Sequence, residues 1–175
     1  MEVFLIRHAE TQANLDPTKS ATITKKGEQQ IQLLKEHLQN TSFDSIFSSD
    51  LERSLDTAKA LTNNPIITKD LREILRTIIG GPEKPSRENR EYEDTLRAEN
   101  CFEELFSLNK KRVAVIAHGN IIRYFLAKLQ NKDPKEMWST KIDPASITII
   151  HNNNILTINY TDHLKKTKSD ADYYV

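Results

Sequence analysis

Glycine is scarce in this chain. Only 4 occur in 175 residues, and two of them are adjacent at Gly80-Gly81. Neither G-x-x-x-x-G-K-[ST] nor G-x-G-x-x-G is present, so no glycine loop cradles nucleotide phosphates. Cysteine is scarcer still. Cys101 stands alone, which excludes an internal disulfide and a Cys/His cluster at zinc spacing, and suits a reducing compartment. An excess of one charge is also missing: 25 Lys and Arg balance 25 Asp and Glu, so no basic footprint points to nucleic acid. No stretch approaches the ~20 apolar residues of a membrane span. The N-terminal apolar run, Val3 to Ile6, is too short for a secretory signal and follows no basic segment. The expectation is a soluble, cytoplasmic protein without nucleic-acid or membrane partners. Residues 1–162 are expected to form a single domain and 163–175 a polar C-terminal tail.

What is present is a set of short apolar runs that end in reactive side chains. The chain opens "MEVFLIRHAET", and its apolar run stops at Arg7-His8. "SIFSSD" ends in small polar residues, with Arg53 one helical turn later. "RVAVIAHG" runs from Val113 to Ala117 and then delivers His118 and Gly119. Unbroken runs of this kind fit strands buried on both faces. Helical spacing separates them, over Lys25–Asn40, Leu51–Thr62 and Asn120–Gln130. The charged stretch from Glu83 to Glu104 reads as a solvated helix entered through Gly80-Gly81-Pro82, with Phe102, Leu105 and Phe106 on its buried face. "SITIIHNNNILTINY" reads as two strands around an Asn-rich turn, because Asn tolerates left-handed backbone. Strands alternating with helices predict a three-layer α/β/α fold with a mostly parallel sheet.

In an open α/β sheet, ligands bind beyond the carboxyl ends of the strands. Here those ends carry two histidines and two arginines, Arg7, His8, Arg53 and His118. A helix starting after His118 adds its positive dipole end and free N–H groups. Such a crevice suits an anion, most naturally a phosphoryl group. Each residue taken singly has an ordinary structural explanation: a strand-end histidine, or an arginine on a solvated helix face. Their joint placement at three strand–helix junctions is the argument for a site.

These motifs also resemble a known family. "LIRHAETQAN" is similar to the L-x-R-H-G-x-T-x-x-N opening of the histidine phosphatase superfamily, the phosphoglycerate-mutase-like proteins. "ITKKGEQQ", "SSDLERSLDTAKAL", "LREI" and "IAHGNIIRYFL" resemble its later motifs in the family's order, from Val3 to about Leu126. Two departures stand out. Ala9 replaces the family's glycine, and the glycine–aromatic–glycine run after L-x-E is missing. The resemblance implies a phosphoglycerate-mutase-like fold and a phosphatase working through a phosphohistidine on His8, with neither metal nor cofactor. It implies that Arg7, Asn14, Arg53, His118 and Gly119 hold the phosphoryl group. Glu73 is implied as the general acid, against a salt-bridge role beside Arg72 and Arg76; Glu10, Glu83 and Glu88 are the fallback acids.

Three other functions remain open at this level: a phosphoglycerate mutase, a non-catalytic phospho-ligand module, and a metal hydrolase using both histidines. Only 44 residues separate Glu73 from His118, fewer than family mutases use to enclose their intermediate, which favours hydrolysis. The survival of every motif side chain disfavours a purely binding role, and the adjacent arginines would repel a cation. The implied substrate is a phosphorylated small molecule or a phosphoprotein. The segment from "HGNIIRYFLAKL" through "MWSTKIDPASIT" most resembles the protein Ser/Thr phosphatase branch.

Overall fold

A computed structural model describes residues 1–81 and 90–165. The chain alternates strands and helices as the apolar runs predict. It runs β1 (Glu2–Arg7), α1 (Gln12–Leu15), α2 (Lys25–Leu38), β2 (Ser45–Ser49), α3 (Glu52–Ala58) and β3 (Ile66–Thr68). Then follow α4 (Arg90–Phe106), β4 (Arg112–Ala117), α5 (Gly119–Leu129), β5 (Ile147–His151) and β6 (Asn154–Tyr160). One six-stranded sheet has the order β3-β2-β4-β1-β5-β6. Strands β1 to β4 are parallel, and β5 and β6 form an antiparallel edge beside β1.

Strand side chains alternate between faces, and each face finds its own helices. Val3, Leu5, Val113 and Val115 pack with Ala98, Cys101 and Leu105 of α4 and with Ile121, Ile122 and Phe125 of α5. Phe4, Ile6, Ala114 and Ile116 pack on the other face with Leu34 and Leu38 of α2 and Ala58 of α3. Fully burying a Leu or Ile contributes about 1.5–3 kcal/mol, so these two layers dominate stability. Among the described residues no helix is long and apolar enough to cross a membrane.

Several local expectations are refined. Helix α3 ends at Ala58 instead of running to Thr62, because single hydrogen-bonded turns take over at Ala60 and Leu61. In the charged segment, 83–89 lie outside the described residues. The rest is helical, with Asp94, Ala98, Cys101 and Leu105 buried and Phe102 and Phe106 partly so. The hairpin places Asn152 and Asn153 at φ 48° and 63°, the left-handed pair that a tight two-residue turn requires. Of the polar tail, 166–175 lie outside the described residues. His163, its first residue, hydrogen-bonds the Ala145 carbonyl at 3.1 Å and stacks on His37 and Tyr160.

The loop after β1 is held by the start of α2. The Thr24 N–H donates to the Glu10 carbonyl at 3.0 Å, and Thr24 Oγ1 caps the helix through the Gly27 N–H at 3.0 Å. A Cβ on Gly27 would lie 2.2 Å from that same carbonyl oxygen, so only glycine allows this approach.

Candidate active site

Strand register brings the two histidines together. Arg7 pairs with Ala117 across β1 and β4, so His8 and His118 leave the same end of the sheet on adjacent strands. Their ring centroids are 5.1 Å apart, and both residues are buried. The His8 Nδ1 lies 2.8 Å from the Ala9 carbonyl. A carbonyl only accepts, so Nδ1 carries the proton and Nε2 keeps a free lone pair. Burial, followed by the charge of Arg7, lowers the His8 pKa to about 3, against the pull of the Ala9 hydrogen bond. His118 is lowered well below its ordinary value by burial, then by His8 and the arginines. Its Nε2 meets Ser49 Oγ at 3.0 Å and Ser54 Oγ at 3.4 Å, while its buried Nδ1 has no partner among the described residues.

Arginines surround the pair. Arg7 Nη1 donates to the Ile142 carbonyl at 2.6 Å, and its buried Nε has no partner among the described residues. Arg53, in the first turn of α3, is tied to the His8 loop through Thr57. The Ala9 N–H donates to Thr57 Oγ1 at 2.9 Å, and that hydroxyl donates to the Arg53 carbonyl at 2.7 Å. Burial lowers both guanidinium pKa values while Glu73 opposes the shift. Ala9 is fully buried and is not among the residues with positive φ, so its methyl strains nothing where the family has glycine.

Glu73 is not the salt-bridge residue that Arg72 and Arg76 could have made it. Arg72 instead grips Asp50, at 2.6 and 2.8 Å. The Glu73 Oε1 accepts the N–H groups of Asn120 at 3.0 Å, Ile121 at 3.2 Å and Ile74 at 3.2 Å, capping α5 from outside the helix. Its residue keeps some contact with solvent, yet its carboxyl is densely surrounded. Burial raises its pKa, against the hydrogen bonds and Arg7. Because Oε1 holds all three N–H groups, Oε2 is the oxygen left to carry a proton.

Two expected residues sit differently. Asn14 is exposed, and its Oδ1 accepts from the Thr11 N–H at 2.9 Å and Thr11 Oγ1 at 3.0 Å, closing the first turn of α1. Only its amide NH₂ stays available. Glu10 accepts from Thr24 at 2.9 Å and from Lys26 at 2.9 Å. Burial acts to raise its pKa, but these partners lower it, so it makes a poor acid. Glu83 and Glu88 lie outside the described residues.

Supporting residues that the sequence assigned no role are Ser49, placed only at a strand end, Ser54 and Thr57, all within the quoted "SSDLERSLDT", and Arg123. The serines and threonine share the segment that delivers Arg53, which was the available signal. Arg123 reads as a solvated helix residue until its neighbours are known.

The sequence profile of the histidine phosphatase superfamily, branch 1, matches residues 3–96 and 81–155. The first stretch contains Arg7, His8, Asn14, Arg53 and Glu73, and the second contains His118 and Gly119. The chain belongs to the histidine phosphatase superfamily. It is similar to the adenosylcobalamin/alpha-ribazole phosphatase of Escherichia coli, 27% identical over 82% of this chain and 86% of the relative. It is also similar to phosphoserine phosphatase 1 of Hydrogenobacter thermophilus, 26% identical over 94% of each chain. The crystal structure of the alpha-ribazole phosphatase from Shigella flexneri shares the fold with a TM-score of 0.78 at 22% identity, over 91% of this chain and 96% of that one.

Like His8 and His118, His163 is held neutral in this histidine phosphatase, its pKa lowered to about 4 by burial and by His37. Folded pKa values below the unfolded 6.5 mean that the unfolded chain takes up these protons first. Stability is therefore full above pH 6.5 and declines as pH falls toward 4 and then 3, by up to about 1.4 kcal/mol per pH unit for each histidine. Denaturant midpoints should drop between pH 6.5 and pH 5, where ordinary carboxylates contribute little and Glu73, with its raised pKa, offsets only part of the loss from three rings. A flat profile over that interval would show that the three rings charge freely in the folded state.

Proposed function

We propose that the protein is a phosphomonoesterase that works through a phosphohistidine on His8 and needs no metal ion. The observation carrying this reading is the state of His8: a neutral imidazole, its Nδ1 proton held by a carbonyl and its Nε2 lone pair free, beside Arg7 and Arg53. An imidazole attacks only when neutral, and the arginines that suppress its protonation also attract the phosphate.

Nε2 of His8 attacks phosphorus, forming the N–P bond as the P–O bond to the substrate alcohol breaks. Arg7, Arg53, the Gly119 N–H and the Asn14 amide neutralise the phosphoryl oxygens through the loose transition state. His118 joins them by donating from Nδ1 while the Ser49 hydroxyl donates to its Nε2, a tautomer that gives its unpartnered Nδ1 a use. Glu73 gives its Oε2 proton to the leaving alkoxide. The resulting carboxylate then takes a proton from water, whose oxygen attacks the phosphohistidine, releasing inorganic phosphate and restoring His8 and protonated Glu73.

The relatives' names support a small phosphate ester over a phosphoprotein, since alpha-ribazole phosphate and phosphoserine are small molecules. The test is a panel of phosphate monoesters assayed with and without excess EDTA. Hydrolysis should persist in the chelator, because guanidinium groups supply the positive charge. Loss of all activity in EDTA, restored by zinc or magnesium, would replace this reading with a metal-dependent one.

A further inference from the structure

A third arginine stands beside the phosphoryl pocket. Arg123 lies one turn into α5, and helical side chains lean back toward the helix N-terminus. Its Nη1 therefore reaches Gly119: a Cβ built there would lie 3.2 Å from Arg123 Nη1 and 3.6 Å from both Nε and Cζ of Arg7. Two guanidinium groups close on the space that a side chain at this position would fill. Among the described residues none of Arg7, Arg53 and Arg123 is ion-paired with a carboxylate.

Arg123 is also held in place. Its Nε donates to the Thr140 carbonyl at 2.7 Å and its Nη1 to Asn120 Oδ1 at 3.1 Å. The same loop that anchors Arg123 through Thr140 anchors Arg7 through Ile142. The Trp138 ring lies 5.9 Å from the Arg123 Cζ. That ring also packs on Gly81, where a Cβ would come within 2.6 Å of it, while 42% of Trp138 stays exposed. Fixing a guanidinium on an aromatic face lowers the entropy cost of using it. Arg123 Nη2 makes no hydrogen bond among the described residues, so one donor edge is left for a ligand.

We propose that Arg123, backed by Trp138, is a specificity residue that binds a second anionic group on the alcohol side of the substrate. This rests on the phosphatase reading and narrows it. Because Arg123 and Arg7 meet at one glycine, the second anion sits only a few bonds from the scissile ester. The favoured class is a compact phosphate ester carrying a carboxylate or a second phosphate. A neutral alcohol would leave Arg123 without an anionic partner.

The experiment compares three propyl phosphate esters that differ only at the far end, as hydroxyl, carboxylate or second phosphate, with p-nitrophenyl phosphate as reference. Wild-type kcat/KM should favour an anionic tail over the hydroxyl by about 10–100-fold, the scale of a hydrogen bond to a charged group. The preferred tail identifies which anion the site takes. Arg123→Gln should collapse that preference to near unity, mainly through KM, and Arg123→Lys should restore part of it. Equal wild-type rates for all three tails would overturn the proposal without needing any variant. So would an equal loss on all three in Arg123→Gln, the mark of a mere strut between α5 and the Thr140 loop. A wild type inert on every ester including p-nitrophenyl phosphate would overturn the phosphatase reading along with it.

Discussion

His8→Ala is expected to cut turnover on the order of 10⁴–10⁶-fold, the scale seen when an essential member of a nucleophilic machine is removed. The fold should survive, because the ring's contacts are a neighbouring carbonyl and a second histidine, with no part in the two apolar layers. Acid- and alkali-quenched reactions of the wild type should trap a phosphoenzyme that is stable to alkali and labile to acid, the signature of an N–P bond. The alanine variant should trap none. With its pKa near 3, His8 stays unprotonated across the working range, so any acidic limb of kcat/KM between pH 4 and 6 belongs to substrate or another group. Near-normal turnover in the alanine variant would end the covalent mechanism.

Glu73→Gln should separate substrates by leaving group. Protonating a poor leaving group contributes about 10²–10⁴ in rate, so alkyl phosphates should slow by that much in the phosphorylation step. p-Nitrophenyl phosphate, whose phenolate leaves unaided, should be phosphorylated at nearly the wild-type rate in single-turnover experiments. Glutamine suits this test because its carbonyl oxygen can replace Oε1 on the Asn120, Ile121 and Ile74 N–H groups and keep α5 capped. Only the proton at Oε2 is lost. If both substrate classes slow equally, the glutamate acts through helix placement, and the acid lies elsewhere. Glu10 is then a weak successor, since Lys26 and Thr24 hold it ionised.

Much of this was legible along the chain because it depends on local spacing. Apolar runs too short for helices and ending in Arg7-His8, Ser49 and His118 specify parallel strands with chemistry at their carboxyl ends. The helical period marks α2, α3 and α5. The asparagine turn follows from the left-handed backbone that Asn152 and Asn153 accept. The order of the motifs identifies the superfamily. None of these requires knowing which strands are neighbours.

Tertiary structure alone decided what those residues do to one another. Pairing of β1 with β4, 100 or more residues apart, puts the two histidine rings 5.1 Å apart, and burial, joined at His8 by the charge of Arg7, keeps His8 neutral and makes Glu73 hard to ionise. Glu73 is next to Arg72 in sequence and Asp50 is 22 residues away, but the fold gives the arginine to Asp50 and the glutamate to the start of α5. Asn14 spends its carbonyl on Thr11, a local competition that motif spacing does not express. Arg123 on its helix is an ordinary charged residue until Thr140, Trp138 and Arg7 arrive from other parts of the chain. Side-chain identity and period determine elements and candidate chemistry, whereas protonation, pairing and specificity are set by distance and burial, which only the packed structure determines.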